Sequence, residues 1–395
     1  MQWDDPPRYQ RQAGPAAFQL RDDGSLESIP RAPPQYQRGY KSRPDMVYAG
    51  NEPWWKPRYW RTRTWAIVGV AIAVILIIVI AVPVKVTENN RYPNYSKLDY
   101  TLADEYSGST FFDNFDYFIG YDPAQGFVHY VPKEQATSLN LTYASDSTAV
   151  LKVDTSVGPD SEPNASTGRF SVRVESKRQY DSGLFIFDVK HTPYGCGTWP
   201  ALWLTDQSNW PNNGEIDVME AVNQATDGNQ MTLHTTNGCS VGGVKRKMTG
   251  STLKTNCYNG TDDNAGCGVS GTSDSYGEGY NTAEGGIVAM ELRDQGIRMW
   301  QFGRDDIPTD ITSKQPDPST WGEAAADFPN TDCNIGSHFR NQSIIANIDL
   351  CGQYAGGVYA QSGCPSNCTD YVANNPSAFE NAFWEFGTFE VYKAK

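Results

Sequence analysis

Hydrophobic residues follow three regimes along this chain. Residues 1–64 are rich in Pro, Gln, Arg and Tyr and show no apolar period, which predicts a disordered tail. From Trp65 to Val84 there is a continuous apolar run of twenty residues without a charge. As a helix it is about 30 Å long, one hydrocarbon core. A buried core helix would carry a polar stripe, and a cleaved signal peptide would be shorter and nearer the start. The run therefore predicts a transmembrane helix over 65–84. After a stalk at 85–106, residues 107–395 switch to short period-two runs such as Phe185-Ile-Phe-Asp-Val189 and Ile297-Arg-Met-Trp-Gln-Phe302. Gly/Asn/Asp/Ser clusters break these runs and long helical patterns are missing, so the expected fold class is all-β, a sandwich or barrel.

One period-two run is acidic. In Gly214-Glu-Ile-Asp-Val-Met-Glu-Ala221, alternation puts Glu215 and Asp217 on one face and Ile216 and Val218 on the other. Glu220 falls on the wrong face unless one extra residue, a β-bulge near Met219, returns it to the face of Glu215. Three carboxylates on one surface have duller readings. A solvated acidic face suits a chain of net charge −14. Hard cations also take carboxylates, but the wrapping Asp/Asn/Gly loop of a calcium site is missing. Against a solvated face, stacked acids repel and raise one another's pKa, which costs stability. Two carboxyls on one face are what glycoside hydrolysis requires, one to attack the anomeric carbon and one to protonate the leaving oxygen.

Charge and cysteines set the topology. Residues 1–64 hold eleven Lys/Arg against seven Asp/Glu, a net +4 that leaves −18 for the remainder. Lys56, Arg58, Arg61 and Arg63 precede the apolar run, which predicts a cytosolic N-terminus and a single-pass type II protein. All eight cysteines lie beyond the run, as do six glycosylation sequons at Asn94, Asn140, Asn164, Asn259, Asn341 and Asn367. Both fit an oxidising, extracellular or lumenal compartment. Short spacing favours Cys257–Cys267 and Cys364–Cys368 as disulfides, and no metal site or cofactor is expected. The acidic outer domain gives no reason to expect nucleic acid, and a monomer is expected. The C-terminus Glu390–Lys395 lacks an apolar tail, so no lipid anchor of the GPI type is expected.

Gly195-Cys-Gly-Thr-Trp-Pro-Ala-Leu-Trp-Leu204 and Trp210-Pro-Asn-Asn-Gly-Glu-Ile-Asp-Val-Met-Glu220 resemble glycoside hydrolase family 16, in particular fungal endo-1,3(4)-β-glucanases of the laminarinase type. The resemblance extends over roughly 107–394, through Phe111–Phe115, Asp122–Phe127, Arg169–Lys177, Gly183–Phe187, Cys333–Phe339 and Asn375–Trp384. It implies a curved β-jelly roll with a concave sugar-binding cleft, and retaining double displacement on β-1,3 or mixed β-1,3/1,4-glucan. Glu215 would be the nucleophile and Glu220 the acid/base. Asp217 would support them by hydrogen-bonding Glu215. Substrate contacts are expected from Trp199, Trp203, Trp210, His234 and Trp384, with Arg173 and Asn114 as polar candidates. One of Trp199 and Trp203 could instead be core, and a lone histidine is more often an ordinary satisfied side chain. A transglycosylase using the same glutamates is the alternative activity, and a non-catalytic glucan-binding protein a remote one.

In the tail, Pro6-Pro7-Arg8-Tyr9 and Pro33-Pro34-Gln35-Tyr36 both fit Pro-Pro-x-Tyr, a ligand pattern of WW domains. A WW-domain partner is the expectation they carry.

Overall fold

The computed structural model describes residues 18–20, 26–28, 57, 61–89, 91–161 and 164–395. Both Pro-Pro-x-Tyr motifs lie outside them. Within the tail expected to lack structure, Phe18–Leu20 pairs antiparallel with Leu26–Ser28. The sequence between them holds Asp23-Gly24, a turn signal flanked by alternating residues. A ribbon this short is marginal by itself in water.

A helix spans Thr62–Asn89, longer at both ends than the apolar run. Its stretch Thr62–Val82 is long and apolar enough to cross a membrane. Ile67, Val70, Ile77 and Ile80 are each more than 60% exposed, a surface that water alone does not stabilise.

The large domain is an open sandwich of two eight-stranded antiparallel sheets. The first, called the site sheet, runs in the order Ser251–Thr252, Cys267–Ser270, Gln230–His234, Glu215–Glu220, Thr198–Thr205, Gln342–Leu350, Arg173–Tyr180, Phe115–Tyr117. The outer sheet is centred on Gly286–Arg293, Gly183–His191 and Phe383–Ala394. Between them, Ile216, Leu202, Leu204, Ile344 and Ile348 from one sheet pack against Phe185, Phe187, Phe386, Phe389 and Val391 from the other. Period-two alternation explains the arrangement: the inward residues of each strand are apolar, and the outward residues of the site sheet carry its chemistry. A smaller cluster of Leu184, Ile186, Trp300, Trp321 and Tyr392 fills the far side of the outer sheet. The strand Gly183–His191 is therefore apolar on both faces, consistent with its nearly unbroken hydrophobic sequence.

Two expectations are corrected. The stalk at 85–106 is mostly part of the domain. Tyr100–Tyr106 pairs with Phe383–Ala394 as a strand of the outer sheet. Ahead of it, Tyr95 donates to Asp327 (3.3 Å) and lies under the Arg298 guanidinium at 4.0 Å. Tyr100 donates to Glu291 (2.8 Å), and Arg293 donates to the Ser96 carbonyl (3.1 Å). Buried acids and an open strand edge on the domain give this segment partners that a free stalk would not have. The disulfides are Cys196–Cys364, Cys239–Cys333, Cys257–Cys267 and Cys351–Cys368. Cys257–Cys267 is as expected and Cys364–Cys368 is not. Cys368 opens the helix Cys368–Asn374 and is buried with Val372 and Phe379 beside Cys351, while Asn367 caps that helix and separates Cys364 from it. Cys364 bonds instead to the entry of the tryptophan-bearing strand.

Candidate active site

The acidic strand Glu215–Glu220 carries the expected bulge. Trp203 faces Asp217 and Leu202 faces Met219, so Val218 is the extra residue on that side. On the other side Asp217 faces Thr232 and Glu220 faces Gln230, leaving Met231 opposite two residues. Ile216, Val218 and Met219 are all buried in the core, while Glu215, Asp217 and Glu220 share the outer face. Glu215 and Glu220 border a cleft of about 660 Å³ lined further by Trp199, Gln230, His234, Asn264 and Tyr354, with Asp217 buried between them.

Each carboxyl has its own partner. Trp210, at the surface, donates its indole N–H to Glu215 Oε2 (2.6 Å). Trp199 donates to Glu220 Oε1 (2.8 Å) and meets the Tyr354 ring edge-on at 5.7 Å. His234 lies directly across from Glu215 in the adjoining strand, and its Nε2 is 3.3 Å from Asp217 Oδ2. The expected hydrogen bond from Asp217 to Glu215 is not the one formed: Asp217 pairs with His234. Like charges cannot share a proton when both are ionised, and a cation one strand away is the better partner.

The electrostatics follow from burial. It raises Glu220 to about 7, helped by the Asp217 charge and opposed by the Trp199 N–H. Burial and the Glu215 charge raise Asp217 to about 6. Glu215 is also raised by burial, but the His234 charge and the Trp210 hydrogen bond favour its ionised form. For His234 burial acts the other way, and the Asp217 contact with the neighbouring carboxylates outweighs it, lifting the imidazole to about 10. Its Nδ1 is 3.2 Å from Asn264 Oδ1, an acceptor suited to a ring protonated on both nitrogens. Ligand atoms of Glu215, Asp217 and His234 lie within 4.8 Å of one another, close enough to hold a metal ion. An ion there would have to displace the proton that the carboxylates hold on His234, because the neutral imidazole is the ligating form.

The other candidates separate. Trp203 shares the outer face with Asp217, donates to Asn347 (2.9 Å) and lies under the Arg173 guanidinium at 4.9 Å. Arg173 also covers Phe118 and pairs with Glu175 (2.7 Å), so it belongs to the same sheet face but is largely spent on protein contacts. Trp384 is a correction: it is fully buried, its N–H donates to the Asn347 carbonyl (3.0 Å), and it stacks on Phe386 inside the sandwich. Alternation along Phe383–Ala394 places it with Phe386 on the inward side. Asn114 is another correction, since its amide closes the turn Gly108–Asn114 by donating to the carbonyls of Thr110 and Phe111. Asn229, Gln230, Asn264 and Tyr354 had no signal of their own. Gln230 and Tyr354 join through their side chains at 2.7 Å although 124 positions apart.

The family model for the XgeA-like catalytic domain of glycoside hydrolase family 16 matches residues 115–392. A probable glycosidase of Schizosaccharomyces pombe is 45% identical over 308 residues, 77% of this chain and 72% of that protein. An endo-1,3(4)-β-glucanase of Arthroderma benhamiae is 42% identical over 306 residues, covering 74% of this chain and 65% of its own length. Among solved structures, Laminarinase 16A of Phanerochaete chrysosporium, seen with two β-glucans in donor and acceptor sites, is 43% identical with a TM-score of 0.70. It aligns over 74% of this chain and 99% of its own. An elongating family 16 β-1,3-glucosyltransferase is 39% identical with a TM-score of 0.68, over 74% of this chain and all of the other. The bulged acidic strand, the open sandwich and these matches agree: the chain belongs to glycoside hydrolase family 16, as a β-glucanase-type hydrolase of its XgeA-like branch.

Proposed function

We propose that the chain is a membrane-anchored, retaining endo-β-glucanase acting on β-1,3 and mixed β-1,3/1,4-glucans. The observation that carries this is the bulge that sets Glu220 beside Glu215 on one wall of an open cleft. The Glu215 carboxylate attacks the anomeric carbon while Glu220 gives its proton to the departing glycosidic oxygen. Glu220, now ionised, takes a proton from water, whose oxygen attacks the same carbon and frees Glu215. His234 and Asp217 act on the charges of both, and Trp199 and Trp210 offer sugar-stacking rings, whereas the Trp203 ring is covered by Arg173. Incubation with laminarin and lichenan should give shorter oligosaccharides with the β-anomer formed first, read by NMR. Initial α-anomer would overturn the retaining assignment.

Transfer is the second reading, favoured by the likeness to the elongating glucosyltransferase. There a sugar hydroxyl replaces water in the second step, and products longer than the substrate would establish it.

For placement, the apolar helix and the four disulfides support an extracellular or lumenal domain behind a type II anchor. Asn94, Asn140, Asn164, Asn341 and Asn367 are exposed and Asn259 half-buried, so all six are open to glycosylation. Retention in membranes after alkaline carbonate washing, with size loss on N-glycan removal, is the expected result. The Pro6–Tyr9 and Pro33–Tyr36 motifs would then face cytosolic WW domains. Loss of WW-domain binding on Tyr9→Ala with Tyr36→Ala tests that partner.

A further inference from the structure

A bulge that turns Glu220 toward the cleft also leaves two backbone groups of the acidic strand without ladder partners. Met231 alone stands opposite Val218 and Met219, so the neighbouring strand cannot serve both the Val218 carbonyl and the Glu220 N–H. Asn229 fills the gap. Its Oδ1 accepts from the Glu220 N–H at 3.0 Å and its Nδ2 donates to the Val218 carbonyl at 3.0 Å. The carboxamide thus sits where a peptide group would sit in an unbroken ladder.

Asn229 is itself held on every side. Its side chain is fully buried. Its N–H donates to Ser275 Oγ (2.8 Å), whose hydroxyl donates to the Thr272 carbonyl (2.6 Å). Its own carbonyl accepts from the Gly271 N–H (2.8 Å). Gly228, just before it, has φ +75°, and a Cβ there would lie 2.0 Å from the Thr272 oxygen. The segment 271–275 is therefore clamped to Asn229, and Asn229 to the backbone of Glu220. The Glu220 carboxyl is anchored separately, by Trp199.

We propose that Asn229 is the positioning residue for the acid/base: it fixes the bulge, and with it the direction from which Glu220 delivers and later removes the proton. The proposal rests on the glucanase reading. Removing the carboxamide leaves a buried donor and acceptor unpaired and frees the bulge to slip. Glu215, on the regular part of the strand, keeps its place.

The test uses the full-length enzyme in detergent, with laminarin oligosaccharides and 2,4-dinitrophenyl β-laminaribioside. Dinitrophenolate leaves without a proton, so formation of the glycosyl-enzyme from that substrate needs Glu215 and not Glu220. For Asn229→Ala, kcat on laminarin oligosaccharides should fall about 10²-fold, the scale of general acid–base catalysis, with KM within about 3-fold. The dinitrophenolate burst rate should stay within about 3-fold of wild type, and azide, which needs no base, should restore its turnover. Asn229→Asp adds a readout independent of how well the alanine variant folds. Once protonated, the new carboxyl can donate to Val218 and accept from Glu220, so activity relative to wild type should rise as pH falls. A burst rate lost in parallel with laminarin turnover, an unchanged laminarin kcat, or a flat relative pH profile for Asn229→Asp would each overturn the proposal. Wild-type enzyme inactive on both substrates would overturn the glucanase reading and this proposal with it.

Discussion

Two buried acid clusters in this domain use the same residue types to opposite ends. On the outer sheet, Glu291 is held by Arg298 (2.6 Å), Arg293 (3.3 Å) and the Tyr100 hydroxyl (2.8 Å). Asp327 beside it accepts from Tyr95 and from the Lys247 N–H (2.8 Å), with Arg246 bonded to its carbonyl. Arginines and neutral donors surround the acids there, although burial still raises Asp327. On the site sheet, Glu215, Asp217 and Glu220 share one histidine, and two of the three are lifted to about 6 and 7. The shortage of counter-charge separates chemistry from structure. The first cluster stabilises an edge of the fold; the second keeps a proton available near neutral pH.

The largest effect should come from removing a site carboxyl. Glu215→Gln should lose at least about 10³-fold in kcat on laminarin while keeping wild-type circular dichroism. Turnover near wild type would sink the assignment of Glu215. The corresponding change on the outer sheet should reverse the pattern. Beginning the chain at residue 107 instead of 91 deletes Tyr95, Tyr100 and the strand Tyr100–Tyr106, leaving Glu291 and Asp327 short of donors. A loss of several kcal/mol in urea denaturation is expected, at about 1–3 kcal/mol per buried group left unpaired. Specific activity per folded molecule should hold at low denaturant. Equal stability of the two versions would show that the segment 91–106 is a passive stalk after all.

A smaller effect tests the cost of the site cluster. Glu220 releases its proton in the folded protein near pH 7, against an ordinary carboxyl value of 4.5. The folded state therefore holds the proton longer than the unfolded chain, and stability falls as pH rises between those values. Glu220→Gln abolishes that cost. Its melting temperature should exceed wild type at pH 8 and match it at pH 4; the opposite order would mean that Glu220 is ionised without penalty.

Much of this was legible in the chain because alternation is local. The bulge followed from the misplaced sixth residue of the acidic strand, and the all-β class from short runs between turn residues. Trp384 was misread for the same reason. Period two says that Trp384 and Phe386 share a face but not which face, and that is decided by a sheet whose strands come from distant segments. Asn229 was illegible because its role exists only once the bulge has opened a gap beside it. The stalk was misread because nothing between Arg91 and Tyr106 announces the acids it will meet, Glu291 and Asp327, roughly two hundred residues away.

The smallest effect separates the two neighbours of the glutamates by sign. Activity needs Glu220 protonated, so kcat/KM on laminarin should fall as pH rises through about 7. Asp217 pushes the Glu220 pKa up and His234 pushes it down. Asp217→Asn should accordingly move the alkaline limb to lower pH. His234→Gln should move it to higher pH, and should raise the acid limb too, because the imidazolium also favours the ionised form of Glu215. A merely structural role for either residue would reduce kcat without displacing the limbs. Opposite displacement of the alkaline limb in the two variants is the expected result, measured as pH profiles of kcat/KM in matched ionic strength. Displacement in the same direction would mean that the limb does not belong to Glu220, and the division of labour between the two glutamates would have to be reassigned.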